Sequence, residues 1–90
     1  MTMLDATRQP LTAAGLDVQE AEDGLVVYVA ATDTVHHLNK TAGVIFGLCD
    51  GTRDAAAIAA ELASLFGLGE PPLTETVACL SELTESGLVA

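Results

Sequence analysis

The sequence predicts a single α+β domain in which a three-stranded antiparallel sheet precedes three helices, in the order βββααα. Three features carry that expectation. An Asp-Gly pair separates two alternating apolar runs, the apolar period switches from strand-like to helical near Asn39, and three helical stretches then each end at a glycine. The length of 90 residues suits one domain. Its core must come almost wholly from Leu, Val, Ile and Ala, because Tyr28, Phe46 and Phe66 are the only aromatics.

Residues 1–15 have no clean period and contain Pro10, so they read as a flexible lead-in to a domain spanning 16–90. Strands are expected at 16–22 and 25–31, joined at Asp23-Gly24 by a type I′ turn, whose central residues both need positive φ. A second turn at Ala31 to Asp33 leads into a third strand, 34–38. Asn39 then caps a helix from Lys40 to Cys49, with Ala42, Ile45, Phe46 and Cys49 on one stripe, and Asp50-Gly51 stops it. Thr52 is the expected cap of the next helix, with Asp54 complementing the dipole in its first turn. Ala55, Ile58, Ala59, Leu62, Leu65 and Phe66 form its apolar face, and Gly67 ends it. After a loop, Leu68 to Leu73, Thr74 is the expected cap of a third helix that carries Val77, Leu80, Leu83 and Thr84 and closes at Gly87. The last residues, Leu88 to Ala90, should fold back onto the core.

Thirteen acidic residues against three basic ones give a net charge of −10. Arg8, Lys40 and Arg53 are scattered, so no patch can displace counterions from phosphates, and the acidity opposes binding to nucleic acid and to anionic membrane. No apolar run follows a basic start and no stretch of about 20 apolar residues occurs, so a cytoplasmic location is expected.

The stretch Val35 to Thr52 contains reactive-looking side chains. His36 and His37 are neighbours on a strand, where successive side chains point to opposite faces, so they are poorly placed to share a metal ion. His36 should face inward with Leu38, and His37 outward. Cys49 lies ten residues beyond the strand along a helix, roughly 15 Å at 1.5 Å per residue, too far for a Cys–His pair. Cys49 and Cys79 lie outside any CxxC spacing and read as buried thiols. Asp50-Gly51 reads as a helix stop. Acyl carriers need a serine at a helix start to hold a prosthetic arm, and Ser64, Ser81 and Ser86 all fall inside predicted helices. No catalytic residue, metal ligand or cofactor is therefore assigned, and no enzymatic activity is expected.

What remains is a sheet edge. The first strand carries Asp17, Glu20 and Glu22, charges that discourage pairing, whereas Thr34 to Leu38 has no formal charge. An extended peptide can add to such an edge through main-chain hydrogen bonds. So can a second copy of the chain, which would give a homodimer.

The segment HHLNKTAGVIFGLCDGTRDAAAIAAELASLFG, with the later TVACLSELTESGLV, resembles the PqqD family. These are recognition elements for ribosomally synthesised and post-translationally modified peptides (RiPPs). The matching positions are His37-Leu38-Asn39, Thr41-Ala42, Asp50-Gly51-Thr52, Ile58-Ala59, Leu62, Leu83, Gly87, Leu88 and Val89, and the likeness runs from Leu25 to Val89. It implies a small winged helix-turn-helix-like fold and a non-catalytic peptide chaperone. Such a protein binds the leader region of a precursor as an added strand on the third strand, beside the third helix, and presents it to a modifying enzyme: a radical SAM enzyme, a leader peptidase or a cyclase. Carried over by position, the leader contacts would be Thr34, Val35, His36 and His37 on the strand, with Val77, Leu80, Ser81 and Thr84 on the helix. Lys40 stands where the family often has proline and Thr76 where an acid is expected. The second strand also lacks a Pro-Glu step, which favours a PqqD-like element from a pathway other than that of pyrroloquinoline quinone. The rival readings are a winged-helix regulator, which would need basic residues on the third helix, and an acidic adaptor that binds no leader.

Overall fold

Alternating apolar residues and one-sided burial produce the sheet. In a computed structural model that describes residues 9–89, strands β1 (Leu16–Ala21), β2 (Gly24–Val29) and β3 (Thr34–Asn39) pair antiparallel in the order β1-β2-β3. Helices α1 (Lys40–Gly47), α2 (Ala55–Phe66) and α3 (Leu73–Glu85) follow, so the βββααα order is as expected. Val27, fully buried, pairs with Val18 on one side and His36 on the other, and Leu25 pairs with Glu20 and Leu38. These residues define the inner face of the sheet.

The first turn differs from expectation. Ala21 pairs with Gly24, which leaves Glu22 and Asp23 as the turn, and neither has positive φ, so it is not type I′. Gly24 answers instead to packing and to its own backbone, whose φ of 157° L side chains rarely adopt. A Cβ built there would overlap the backbone of Leu38 and Asn39 on β3, so only glycine lets the strands meet at this point. In the second turn Asp33 takes the left-handed conformation (φ 52°) and its carboxylate accepts a 2.9 Å hydrogen bond from the Tyr28 hydroxyl. Ala30 belongs to this turn, which ends β2 two residues before the expected position.

Asn39 caps α1 as predicted, accepting from the Ala42 N–H at 2.8 Å. The helix ends at Gly47, and Cys49 lies just beyond it, buried, with its thiol donating to the Ile45 carbonyl. The expected cap of α2, Thr52, is corrected to Asp54, whose side chain accepts from the Ala57 N–H. Thr52 is engaged elsewhere: its N–H and hydroxyl both donate to the Asp50 carboxylate, which also pairs with Arg53 at 2.9 Å. Thr74 is likewise not a cap. Pro72 occupies that position without a side-chain bond, its fixed φ and missing N–H costing nothing where helical donors are unpaired anyway. At the far end, Gly87 (φ 79°) closes α3. Its N–H donates to Thr84 O and that of Leu88 to Leu83 O, which turns Leu88 and Val89 back into the core.

Only α1 brings its α-carbons within 8 Å of the sheet, and α2 and α3 pack against α1 and each other. The core therefore runs from Val27 through Ile45 and Phe46 to Ile58, Leu62, Leu80 and Leu83. Residues 1–8 of the expected lead-in lie outside the described residues. In its remaining part Pro10 is buried, and Thr12 N–H and Ala13 N–H donate to Cys49 O and Leu88 O. This stretch ties the end of α1 to the C-terminal turn. Among the described residues, no helix is long and apolar enough to cross a membrane.

Candidate functional site

The third strand has β2 on one side and, among the described residues, no strand on the other. Beyond its open edge comes α3, but no α-carbon of β3 lies within 8 Å of one in α3. The gap is an open hollow of about 410 Å³. Its strand wall is Val35 to Leu38, and its floor is Ala42 and Leu88. The helix wall is Cys79, Glu82, Leu83 and Ser86, one face at the i, i+3, i+4, i+7 spacing.

Of the predicted strand residues, Val35, His36 and His37 line this hollow and Thr34 does not. Thr34 and Val35 are exposed, Val35 to 54%. His36 is half-buried on the inner face, with a long 3.5 Å contact from its Nε2 to Thr34 Oγ1, and His37 is exposed. The predicted helix residues are not at the hollow. Leu80 is fully buried in the core, Val77 packs against that core, and Thr84 directs its hydroxyl back to Leu80 O at 2.8 Å. At 3.6 residues per turn, Val77, Ser81 and Thr84 lie about half a turn from the face made by Cys79, Glu82 and Ser86. That second face is the one that borders the hollow. Its residues are polar or small, so an apolar stripe could not reveal them; only the placement of α3 relative to the sheet does.

Burial sets the chemistry of the two cysteines. Desolvation, helped by the nearby Cys79 and Asp50, pushes the Cys49 thiol up to about 12. Cys79, expected to be buried, is only half-buried and faces the hollow; desolvation raises its pKa first and the Glu82 charge second. Both thiols stay protonated at neutral pH, the state in which a cysteine is a poor nucleophile. Among the described residues, no cluster of three or more His, Cys, Asp or Glu could hold a metal ion. The arrangement offers an unpaired backbone edge, a shallow hollow and an acidic helix rim, which are means of holding a chain segment.

Residues 24–89 match the family described as Coenzyme PQQ synthesis protein D (PqqD). No curated protein is similar enough in sequence to match. Among solved structures the fold is similar to that of "Lasso peptide synthetase B1 complexed with the leader peptide", with a TM-score of 0.70 at 21% identity, covering 91% of this chain and 98% of that one.

Proposed function

Because the chain belongs to the PqqD family, we propose that it is a non-catalytic RiPP recognition element that captures a precursor's leader peptide as a fourth strand on β3. The observation that carries this reading is the uncharged open edge of β3 facing α3 across a hollow. Main-chain hydrogen bonds to the strand supply affinity in such a mode, and side-chain pockets supply selectivity. The leader contacts are Thr34, Val35, His36 and His37 on β3, with Cys79, Glu82 and Ser86 opposite, within a leader-binding unit spanning 16–90. The similar solved structure, a lasso peptide synthetase B1 with its leader, accords with this choice of ligand.

The bound precursor is then presented to a modifying enzyme, such as a radical SAM enzyme, a leader peptidase or a cyclase. Holding both on one scaffold makes their encounter nearly intramolecular, which raises the effective concentration of the substrate segment. The acidic α3, with Glu75, Glu82 and Glu85 and no Lys or Arg, favours a peptide over nucleic acid or an anionic membrane. Without leader, the same edge is available to a second copy of the chain. The test is fluorescence anisotropy with the labelled leader of the precursor encoded beside this chain. Saturable binding, competed by the unlabelled leader, supports the reading, and a leader that does not bind the folded chain contradicts it.

A further inference from the structure

A second hollow, of about 690 Å³, opens between α1, the C-terminal end of α2 and the first half of α3. It is continuous with the β3 hollow: Asn39, Ala42, Cys79 and Glu82 line both. Its character is different. The floor is Ile45 and Leu62, each 1% exposed, and the wall is Phe66, Leu68 and Pro72. Phe66 and Leu68 remain 38% and 45% exposed, apolar surface that the chain itself leaves uncovered. Thr76 also lines it, and its buried hydroxyl is the one buried side-chain polar atom among the described residues without a hydrogen-bond partner.

The rim is acidic. Glu75 and Glu82 stand two turns apart on the same face of α3, and both border this hollow. Among the described residues no lysine or arginine lines either hollow, and the ion pair found among them joins Arg53 to Asp50 on another part of the molecule. In a chain of net charge −10, an apolar pocket railed by two carboxylates that have no ion-pair partner among the described residues complements a cationic amphipathic segment.

We propose that this hollow is a second subsite for the same bound peptide, taking a large apolar side chain flanked by a lysine or arginine that pairs with Glu75 and Glu82. The inference rests on the strand-addition reading. It deepens that reading by assigning the peptide's chemistry at the Asn39 end of β3, where the added strand leaves the sheet edge. The strand recognises backbone and so tolerates many sequences; the second subsite selects among them by charge and apolar bulk.

The test is selection of a random peptide display library on the immobilised full chain at low salt. Anisotropy of the selected peptides is then measured against variants whose fold is checked by circular dichroism. Enriched peptides are expected to carry Lys or Arg beside a large apolar residue. They should lose about threefold to tenfold in affinity on the double change Glu75→Gln/Glu82→Gln, in line with two exposed ion pairs. Leu68→Ser, at an exposed position, should weaken them without unfolding the chain. The charge-reversed Glu75→Lys/Glu82→Lys variant should regain binding to peptides whose cation is replaced by glutamate. Enriched peptides without a basic residue, or equal binding to the charge-reversed variant, overturn the inference while leaving strand addition intact. No enrichment, or binding indifferent to Val35→Pro, overturns the strand-addition reading and this inference with it.

Discussion

Val35 pairs with Tyr28 across the β2–β3 ladder, and on its other side it meets no strand among the described residues. Its side chain is 54% exposed, so the position contributes little to the core. In an antiparallel ladder alternate residues turn their N–H and C=O away from the partner strand, and at an edge those groups are what a fourth strand would use. Val35→Pro removes one such donor and adds ring bulk at the edge. The domain should remain folded by circular dichroism while leader affinity falls about tenfold, the loss of roughly one well-made hydrogen bond with its neighbours disturbed. Unchanged affinity in the folded variant would contradict strand addition.

Cys79 and Cys49 form an internal pair of reporters. Cys79 faces the hollow and Cys49 is 1% exposed. With a maleimide in excess, Cys79 should react and Cys49 should not until the protein unfolds, and bound leader should slow the Cys79 reaction. Because desolvation and then Glu82 raise the Cys79 pKa, its rate should keep climbing with pH beyond the usual thiol range. Glu82→Gln removes the negative charge that disfavours the thiolate, so it should lower the pKa and speed labelling at a given pH. A rate indifferent to both leader and Glu82 would place Cys79 away from the bound segment.

Gly24→Ala tests the close approach of β2 and β3. The added methyl would meet the Leu38 carbonyl and the Asn39 backbone, neither of which can swing aside as a side chain can. The strands must separate locally, at a cost of about 1–3 kcal/mol in urea unfolding. Asp23→Ala, whose residue does not depend on positive φ, should cost much less. Equal effects at the two positions would show that the turn, and not the strand contact, requires the glycine.

Asp50 should govern part of the acid stability. Its carboxylate accepts from the Thr52 hydroxyl and N–H, bonds that together with Arg53 hold its pKa below the usual carboxylate range. A carboxyl whose folded pKa is depressed adds stability above its unfolded pKa, near 3.9, and loses it as pH falls through the lower folded value. The stability gap between the native chain and Asp50→Asn should therefore be largest near pH 6 and shrink progressively below about pH 4. A gap that stayed constant down to pH 2 would mean that the loop owes nothing to the charge.

Much of this architecture is legible in the residues alone, and the exceptions share a cause. Strand alternation placed Val35, His36 and His37 correctly because period two has only two faces, and Leu38 names the inner one. On α3 periodicity identified the core, while the helix residues carried over from the family resemblance, Val77, Leu80, Ser81 and Thr84, do not line the hollow. An apolar stripe identifies the buried side, Leu80 and Leu83, but a helix has several other sides. Which one meets the sheet edge depends on how α3 packs on α1 and α2. Cys79, Glu82 and Ser86 carry no common chemical signature that would mark them. Asn39 caps α1 as expected, but the expected cap of α2 failed for a related reason. Thr52 and Asp54 are both good cap residues, and the choice between them was decided by Asp50, which accepts from Thr52 and leaves Asp54 to start the helix. The Asp-Gly turn was found for the wrong reason, since Glu22 and Asp23 take no positive φ and the glycine answers to β3 across the sheet and to its own φ of 157°.

The most direct test of the central claim is an NMR titration of the isotope-labelled chain with the leader of the precursor encoded beside it. Saturable shifts concentrated in β3 and on the Cys79–Glu82–Ser86 face of α3 are expected, together with cross-strand NOEs between the peptide backbone and Val35 or His37. Shifts confined to other surfaces, or saturable binding without backbone NOEs to β3, would contradict the capture of the leader as a fourth strand.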